Sequence, residues 1–155
     1  MADDLENTLH LDLKDSRVVI RLRPDLAPKH CARIKELARA KFYDGLLFHR
    51  VIEGFMAQTG DPKGNGTGGS GRKIKAEFTP THFARGTVGM ARSSDPDSGD
   101  SQFFIMFDDG DFLNGKYTVW GEVASGMEHV DAIARGEPPR QPDKIVKLRV
   151  AADPD

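Results

Sequence analysis

Apolar and polar positions alternate near the beginning of this 155-residue chain. Leu9, Leu11 and Leu13 are separated by single polar residues, which is the period of a strand with one buried face. A Lys-Asp-Ser turn follows, and residues 17–22 are then rich in β-branched side chains. Residues 7–22 are therefore predicted to form a β-hairpin.

The spacing changes to that of a helix after residue 27. Cys31, Ile34, Leu37 and Ala38 recur at helical intervals between charged residues, and Pro28 precedes them. Proline is well tolerated in the first turn of a helix, where its missing N–H costs little. We expect an amphipathic helix here, with the Cys31 thiol buried and unreactive.

A second helix is predicted near residue 126. Residues 125–128 have the Ser-x-x-Glu spacing of a capping box, and Gly136 would end the helix. Its buried side is predicted to consist of Met127, Val130, Ile133 and Ala134.

Short apolar runs separated by glycine-rich turns fill residues 46–123, and each run has about the length of a strand. Residues 144–150 alternate again and predict a closing strand. Short strands without long helices between them favour an antiparallel barrel or sandwich. We predict a single mainly β domain over residues 1–155 with two helices.

Charge and composition restrict the function further. The net charge of −2 gives no general attraction to nucleic acid or to an anionic membrane. No apolar run approaches the roughly 20 residues that span a bilayer, and the N-terminus does not resemble a secretory signal. The single cysteine cannot form an internal disulfide. We expect a cytoplasmic, monomeric protein that binds neither nucleic acid nor membrane.

Two segments have a weak likeness to ion or phosphate sites. Residues 95–100 resemble the start of a calcium loop, but Asp100 and Met106 stand where glycine and glutamate are needed. The five histidines show no paired metal-ligand spacing, so we predict no metal and no cofactor. The glycines of residues 64–71 could cradle a phosphate, but the Lys-Ser/Thr of a P-loop is missing. We predict a flexible surface loop, with nucleotide binding as an alternative.

Several blocks of sequence fit one family. FHRVIEGFMAQTGD at residues 48–61 resembles the signature segment of the cyclophilins, which are peptidyl-prolyl cis-trans isomerases. Residues 89–92, 101–105 and 112–121 match further blocks of that family in the same order, and residues 27–45 fit its upstream pattern. The chain is similar to a compact bacterial-type cyclophilin over nearly its whole length.

The resemblance implies a fold and a reaction. The fold would be a closed eight-stranded antiparallel β-barrel capped by two α-helices, with the substrate groove outside because side chains fill so small a barrel. The reaction would be rotation of Xaa-Pro bonds in proline-containing polypeptides, assisting their folding, without a covalent intermediate.

The resemblance also implies roles for individual residues. Arg50 would be the catalytic group, donating a hydrogen bond toward the proline nitrogen, and Gln58 would orient it and bind substrate backbone. The proline pocket would be formed by Phe55, Met56, Phe104, Leu113 and Tyr117. Ala91, Arg92 and Gln102 would form the wall for the residues before proline, Arg92 chiefly through its backbone.

Two positions depart from many eukaryotic relatives. Phe112 stands where those proteins have a tryptophan that contacts cyclosporin, so we expect weak cyclosporin binding because the indole N–H is missing. Tyr117 stands where those proteins have a histidine. We expect the tyrosine ring to pack on proline equally well, so that activity is kept. A binding or chaperone module with the same fold and little catalysis remains an alternative.

Overall fold

The computed structural model describes residues 4–153. Its strands and helices, in chain order, are β1 Thr8–Asp12, β2 Arg17–Leu22, α1 Pro28–Arg39, β3 Arg50–Ile52, β4 Met56–Thr59, β5 Thr87–Met90, β6 Phe103–Met106, β7 Val119–Ser125, α2 Met127–Asp131 and β8 Lys147–Val150. The predicted hairpin, helices and closing strand are all present, although most strands are shorter than the apolar runs that predicted them. No helix within residues 4–153 is long and apolar enough to cross a membrane.

All eight strands belong to one antiparallel sheet in the order β3-β4-β6-β5-β7-β2-β1-β8. The mainly β class, the strand number and the two helices are thus confirmed. A closed barrel is not: in the described part of the chain, no ladder joins the edge strands β3 and β8. Isolated bridges lie near the edges instead, one between Leu47 and Lys144 and one between Val51 of β3 and Gly136. The edge strands have only three and four residues, and the sheet is open and curled.

The inner face of the sheet holds the main core. Leu9 and Leu11 of β1 are fully buried there, as the alternation of this strand predicts. Cys31 and Ile34 of α1 pack into the same cluster, and Trp120 of β7 is completely buried. Burial raises the pKa of the Cys31 thiol to about 12, in agreement with an unreactive side chain.

A residue distant in sequence caps the N-terminus of α1. The carboxylate of Glu77 accepts hydrogen bonds from the backbone N–H groups of Lys29 and His30, at 3.2 and 2.8 Å. The first turn of α1 has no acidic residue and no capping side chain of its own. Glu77 therefore satisfies donors that the local sequence leaves free.

The prediction for the second helix was wrong in two details. Ser125 ends β7 and makes no side-chain cap, and the N-cap position belongs to Gly126, so the predicted capping box does not form. The helix ends at Asp131, and only Val130 of the predicted stripe is buried within it. Ile133 is also buried but lies beyond the helix.

A second apolar cluster covers part of the outer face of the sheet. Its buried members are Met56, Phe83, Phe104, Met106, Leu113 and Val119. Strands β4 and β6 therefore have apolar side chains on both faces, which is unusual for an antiparallel sheet with a solvated side. This outer cluster positions the candidate site.

Candidate active site

One transverse row of residues crosses four neighbouring strands of the sheet. Arg50 of β3 pairs with Gln58 of β4, Gln58 pairs with Phe104 of β6, and Phe104 pairs with Gly89 of β5. Residues that are directly opposite in register have their side chains on the same face. Strand pairing alone thus brings a guanidinium, an amide and a phenyl ring together, in that order.

A pocket of about 110 Å³ opens beside this row on the outer face. Its floor is apolar, since Met56, Phe104 and Leu113 are 2%, 4% and 7% exposed. The residues that line it are Arg50, Phe55, Met56, Gln58, Ala91, Arg92, Phe104, Leu113 and Tyr117. The structure therefore brings nine of the eleven predicted site residues around one pocket.

The other two predicted residues lie at its borders. Gln102 lines an adjoining hollow of about 320 Å³, which shares Gln58, Ala91 and Arg92 with the pocket. Phe112 is 62% exposed, and its ring centroid is 5.5 Å from that of Phe55. Phe112 thus extends the apolar rim outward without lining the pocket.

Tyr117 is held at the pocket by two contacts. Its ring meets Phe104 edge-on at a centroid distance of 5.8 Å. The guanidinium of Arg92 lies over the ring, 4.5 Å from its centroid, and donates hydrogen bonds to the carbonyl of Lys116. A cation over an aromatic face attracts it electrostatically. The side chain of Arg92 therefore supports this wall, a role separate from the substrate contact predicted for its backbone.

A chain of amides connects Arg50 to the glycine-rich loop. Arg50 Nη1 donates a long hydrogen bond of 3.4 Å to Gln58 Oε1, and Gln58 Nε2 donates to Gln102 Oε1 at 2.9 Å. Gln102 Nε2 in turn donates to the carbonyls of Gly66 and Gly68, at 3.0 and 2.9 Å. Each amide has its orientation set by the next.

Comparison with known proteins shows which family has this fold and pocket. Residues 8–150 match the family model described as cyclophilin type peptidyl-prolyl cis-trans isomerase/CLD. The chain belongs to the cyclophilin family. The predicted family and enzyme class are thereby confirmed.

Similar proteins carry the same description. A probable peptidyl-prolyl cis-trans isomerase of Brucella suis is 56% identical over 169 aligned positions, which cover 98% of this cyclophilin and 86% of the relative. Peptidyl-prolyl cis-trans isomerase B of Bacillus subtilis is 43% identical, covering 79% of this chain and 86% of its own.

Solved structures of the family superpose closely. Cyclophilin AquaCyp293 from Hirschia baltica gives a TM-score of 0.91 at 28% identity, covering all of this chain and 77% of its own. A Cryptosporidium parvum cyclophilin, crystallised in the presence of the dipeptide Ala-Pro, gives 0.86 at 27% identity, covering 94% and 99%.

The backbone of the glycine-rich loop, residues 64–71, donates hydrogen bonds to two carboxylates of this cyclophilin. Asp61 is 1% exposed and accepts hydrogen bonds from the backbone N–H groups of Lys63, Asn65 and Gly66. Asp100 accepts from those of residues 70 and 71. A phosphate would be repelled by carboxylates that already hold these donors, so the arrangement does not favour the nucleotide-binding alternative.

The carboxylates of residues 95–100, the segment that resembles a calcium loop, also accept hydrogen bonds from the protein backbone. Asp97 Oδ1 accepts a hydrogen bond from the N–H of Ala76, and Asp100 holds the glycine-rich loop. Within residues 4–153, no three His, Cys, Asp or Glu side chains are grouped so that they could hold a metal ion.

Two residues of the site escaped the sequence prediction. Gly89 faces the ring of Phe104, and a glycine inside a strand is itself a sign of close approach by another group. Glu137 accepts a hydrogen bond of 3.2 Å from Arg50 Nε. It is 87 residues away in an irregular segment, where no periodic pattern could have indicated it.

Proposed function

We propose that this cyclophilin accelerates cis/trans rotation about Xaa-Pro bonds in polypeptides, with Arg50 as its catalytic group. The observation that carries the proposal is the position of a guanidinium at the open edge of a small pocket with an apolar floor. An apolar pocket accepts the proline ring by hydrophobic burial and dispersion. The Xaa-Pro bond would then lie within reach of Arg50.

The chemical task is to weaken amide resonance. The rotation barrier is about 18–20 kcal/mol, and a 10⁵-fold acceleration requires removing about 7 kcal/mol of it. As the bond twists, the nitrogen lone pair localises and becomes a hydrogen-bond acceptor. Arg50 would donate to that lone pair, which is available in the twisted state and not in the planar one. Such a contact stabilises the transition state selectively.

The remaining site residues would bind and orient the substrate. Phe55, Met56, Phe104, Leu113 and Tyr117 would enclose the proline ring, and Gln58 would orient Arg50 and bind substrate backbone. Ala91, Arg92 and Gln102, which border the adjoining hollow, would hold the residues before proline. Phe112 would cover the outer rim. No bond is made or broken, so no nucleophile, metal or cofactor is required.

A protease-coupled assay on a short Ala-Pro peptide tests the proposal with Arg50→Ala. We expect kcat/KM to fall by about 10²- to 10³-fold, the range seen when one preorganised donor is removed. Arg21→Ala is the matched control, because Arg21 is an exposed strand arginine remote from the pocket. Full activity in Arg50→Ala would refute the role of Arg50. Absence of activity in the folded wild type would favour the binding-module alternative.

Phe112 affects the expected affinity for cyclosporin. Its exposed ring can pack against an apolar ligand but lacks an indole N–H. We therefore propose that cyclosporin binds weakly while isomerisation is kept. Inhibition of the peptide assay by cyclosporin measures this directly, and tight inhibition would contradict it.

We further propose that the protein works as a cytoplasmic monomer that assists the folding of proline-containing chains. A monomer is supported by the few large apolar side chains exposed among residues 4–153, which are Leu5, Phe78, Phe112 and Val146. The free thiol of Cys31 suits a reducing compartment. Light scattering, cell fractionation and refolding of a proline-limited substrate protein test these three statements in turn.

A further inference from the structure

The catalytic arginine lies on an edge strand and is held from both sides. On one side, Gln58 of β4 accepts from Nη1 of Arg50. On the other side, Val51 and Gly136 exchange two backbone hydrogen bonds of 2.8 Å each. This bridge places Glu137 beside Arg50, where Glu137 Oε1 accepts from Nε at 3.2 Å.

The backbone that carries Glu137 is tied down at several points. Gly136 has φ 141°, and a Cβ there would lie 2.6 Å from Cα of Pro139, so the bend requires glycine. Just before it, the N–H of Ala134 donates to Asp143 Oδ2 at 2.8 Å, and Arg135 donates to the carbonyls of Asp131 and Ile133. Glu137 thus projects from a defined bend.

Holding two nitrogens of a guanidinium determines where the third points. The group is planar and its donors form a rigid fork. Nε of Arg50 is taken by Glu137 and Nη1 by Gln58, while Nη2 has no acceptor among residues 4–153. The Nη2 group therefore remains for a substrate, in an orientation set by the contacts of Nε and Nη1.

We propose that Glu137 is a positioning residue for Arg50: its carboxylate holds Nε and so orients the free Nη2 group toward the bound Xaa-Pro bond. The activity part of this inference rests on the proposed function. Preorganised donors act in the transition state without reorganising, so loss of Glu137 should lower kcat and leave KM unchanged.

The kinetic test compares Glu137→Ala, Glu137→Gln and the wild type. We expect Glu137→Ala to lower kcat by at most about fivefold, because exposed ion pairs contribute modestly. Glu137→Gln retains an oxygen acceptor and should keep most of the wild-type kcat. Both side chains are about half exposed, which limits the contribution of the pair.

Glu53→Ala provides a matched control. Glu53 Oε2 pairs with Arg135 Nη2, also at 3.2 Å, and so joins the same two segments without touching Arg50. We expect its kcat to equal that of the wild type. An equal loss in Glu53→Ala, or a Glu137→Gln as slow as Glu137→Ala, would overturn the proposal.

The NMR signal of the Arg50 Nε–H gives a readout that is independent of turnover. It should exchange faster with water in Glu137→Ala and be unchanged in Glu53→Ala. An unchanged signal in Glu137→Ala would refute the positioning role. If the signal responds as expected but the wild type has no isomerase activity, the proposed function fails and the contact stands. Hydrogen-exchange protection of the Val51 and Gly136 amides shows whether the bend is intact in each variant. If Glu137→Ala loses this protection, the comparison of Glu137→Gln with the wild type decides whether Glu137 positions Arg50.

Discussion

Gly89 shows how a single missing side chain shapes the pocket. A Cβ at this position would lie 2.7 Å from Cζ of Phe104 and 2.8 Å from Cε2 of Phe83. These two rings stack nearly parallel, with centroids 5.8 Å apart. The glycine therefore lets the pocket floor lie directly against the sheet.

Substitution of Gly89 by alanine should affect binding and stability together. The new methyl group would push the Phe104 ring off its place, and overpacking of this kind costs about 1–3 kcal/mol. We expect KM for an Ala-Pro peptide to rise and the free energy of unfolding in urea to fall by about that amount. Wild-type values for both quantities would mean that the two rings adjust without cost.

The segment that follows β4 is organised by one carboxylate. Asp61 takes hydrogen bonds from several backbone N–H groups of the glycine-rich loop, and the same loop receives the Gln102 amide. Burial alone would raise the pKa of Asp61, but the backbone donors of residues 63–68 outweigh it and lower the pKa below its usual 3.8. The ionised carboxylate is thus an internal cap for this element.

The sign of the pH dependence follows from that lowered pKa. A carboxylate whose pKa is lower in the folded state stabilises the fold above its unfolded-state pKa, and this contribution is lost as the pH falls through the folded-state value. We expect Asp61→Asn to reduce the free energy of unfolding by about 1–3 kcal/mol at pH 7 and by progressively less below pH 3.8. Urea titrations at several pH values measure this, with Asp15→Asn at an exposed position as the matched control. A pH-independent difference would contradict the assignment.

At the scale of the whole molecule, α1 is part of the inner core. Cys31 lies against the sheet, and its thiol donates to the carbonyl of Trp120 at 3.3 Å. It is the single cysteine of the chain and is 1% exposed. Reaching this thiol therefore requires separating the helix from the sheet.

Thiol labelling should consequently report global opening. We expect the native protein to react with a disulfide reagent at pH 8 at the rate of unfolding, and the protein in guanidinium to react at once. The thiolate is the reactive form, and burial raises the Cys31 pKa to about 12. Rapid labelling under native conditions would show that α1 opens locally.

The sequence predicted what depends on local periodicity or on family motifs. The hairpin and α1 follow from alternation and helical spacing, and nine motif residues meet at one pocket. What escaped prediction depends on tertiary contacts: Glu77 caps a helix 47 residues away, and Glu137 reaches Arg50 across an irregular bend. The capping box failed because Ser125 pairs with Val19 in the sheet.

The outer apolar cluster restricts how mutations can alter the ligand specificity of this enzyme. Met56, Phe104 and Leu113 form the pocket floor and are also buried within one apolar cluster. Mutations that reshape the floor for a new ligand would therefore also weaken the fold. Adaptation should begin at the rim, where the exposed Phe112 can vary at small thermodynamic cost, and reach the floor only in variants already stabilised elsewhere.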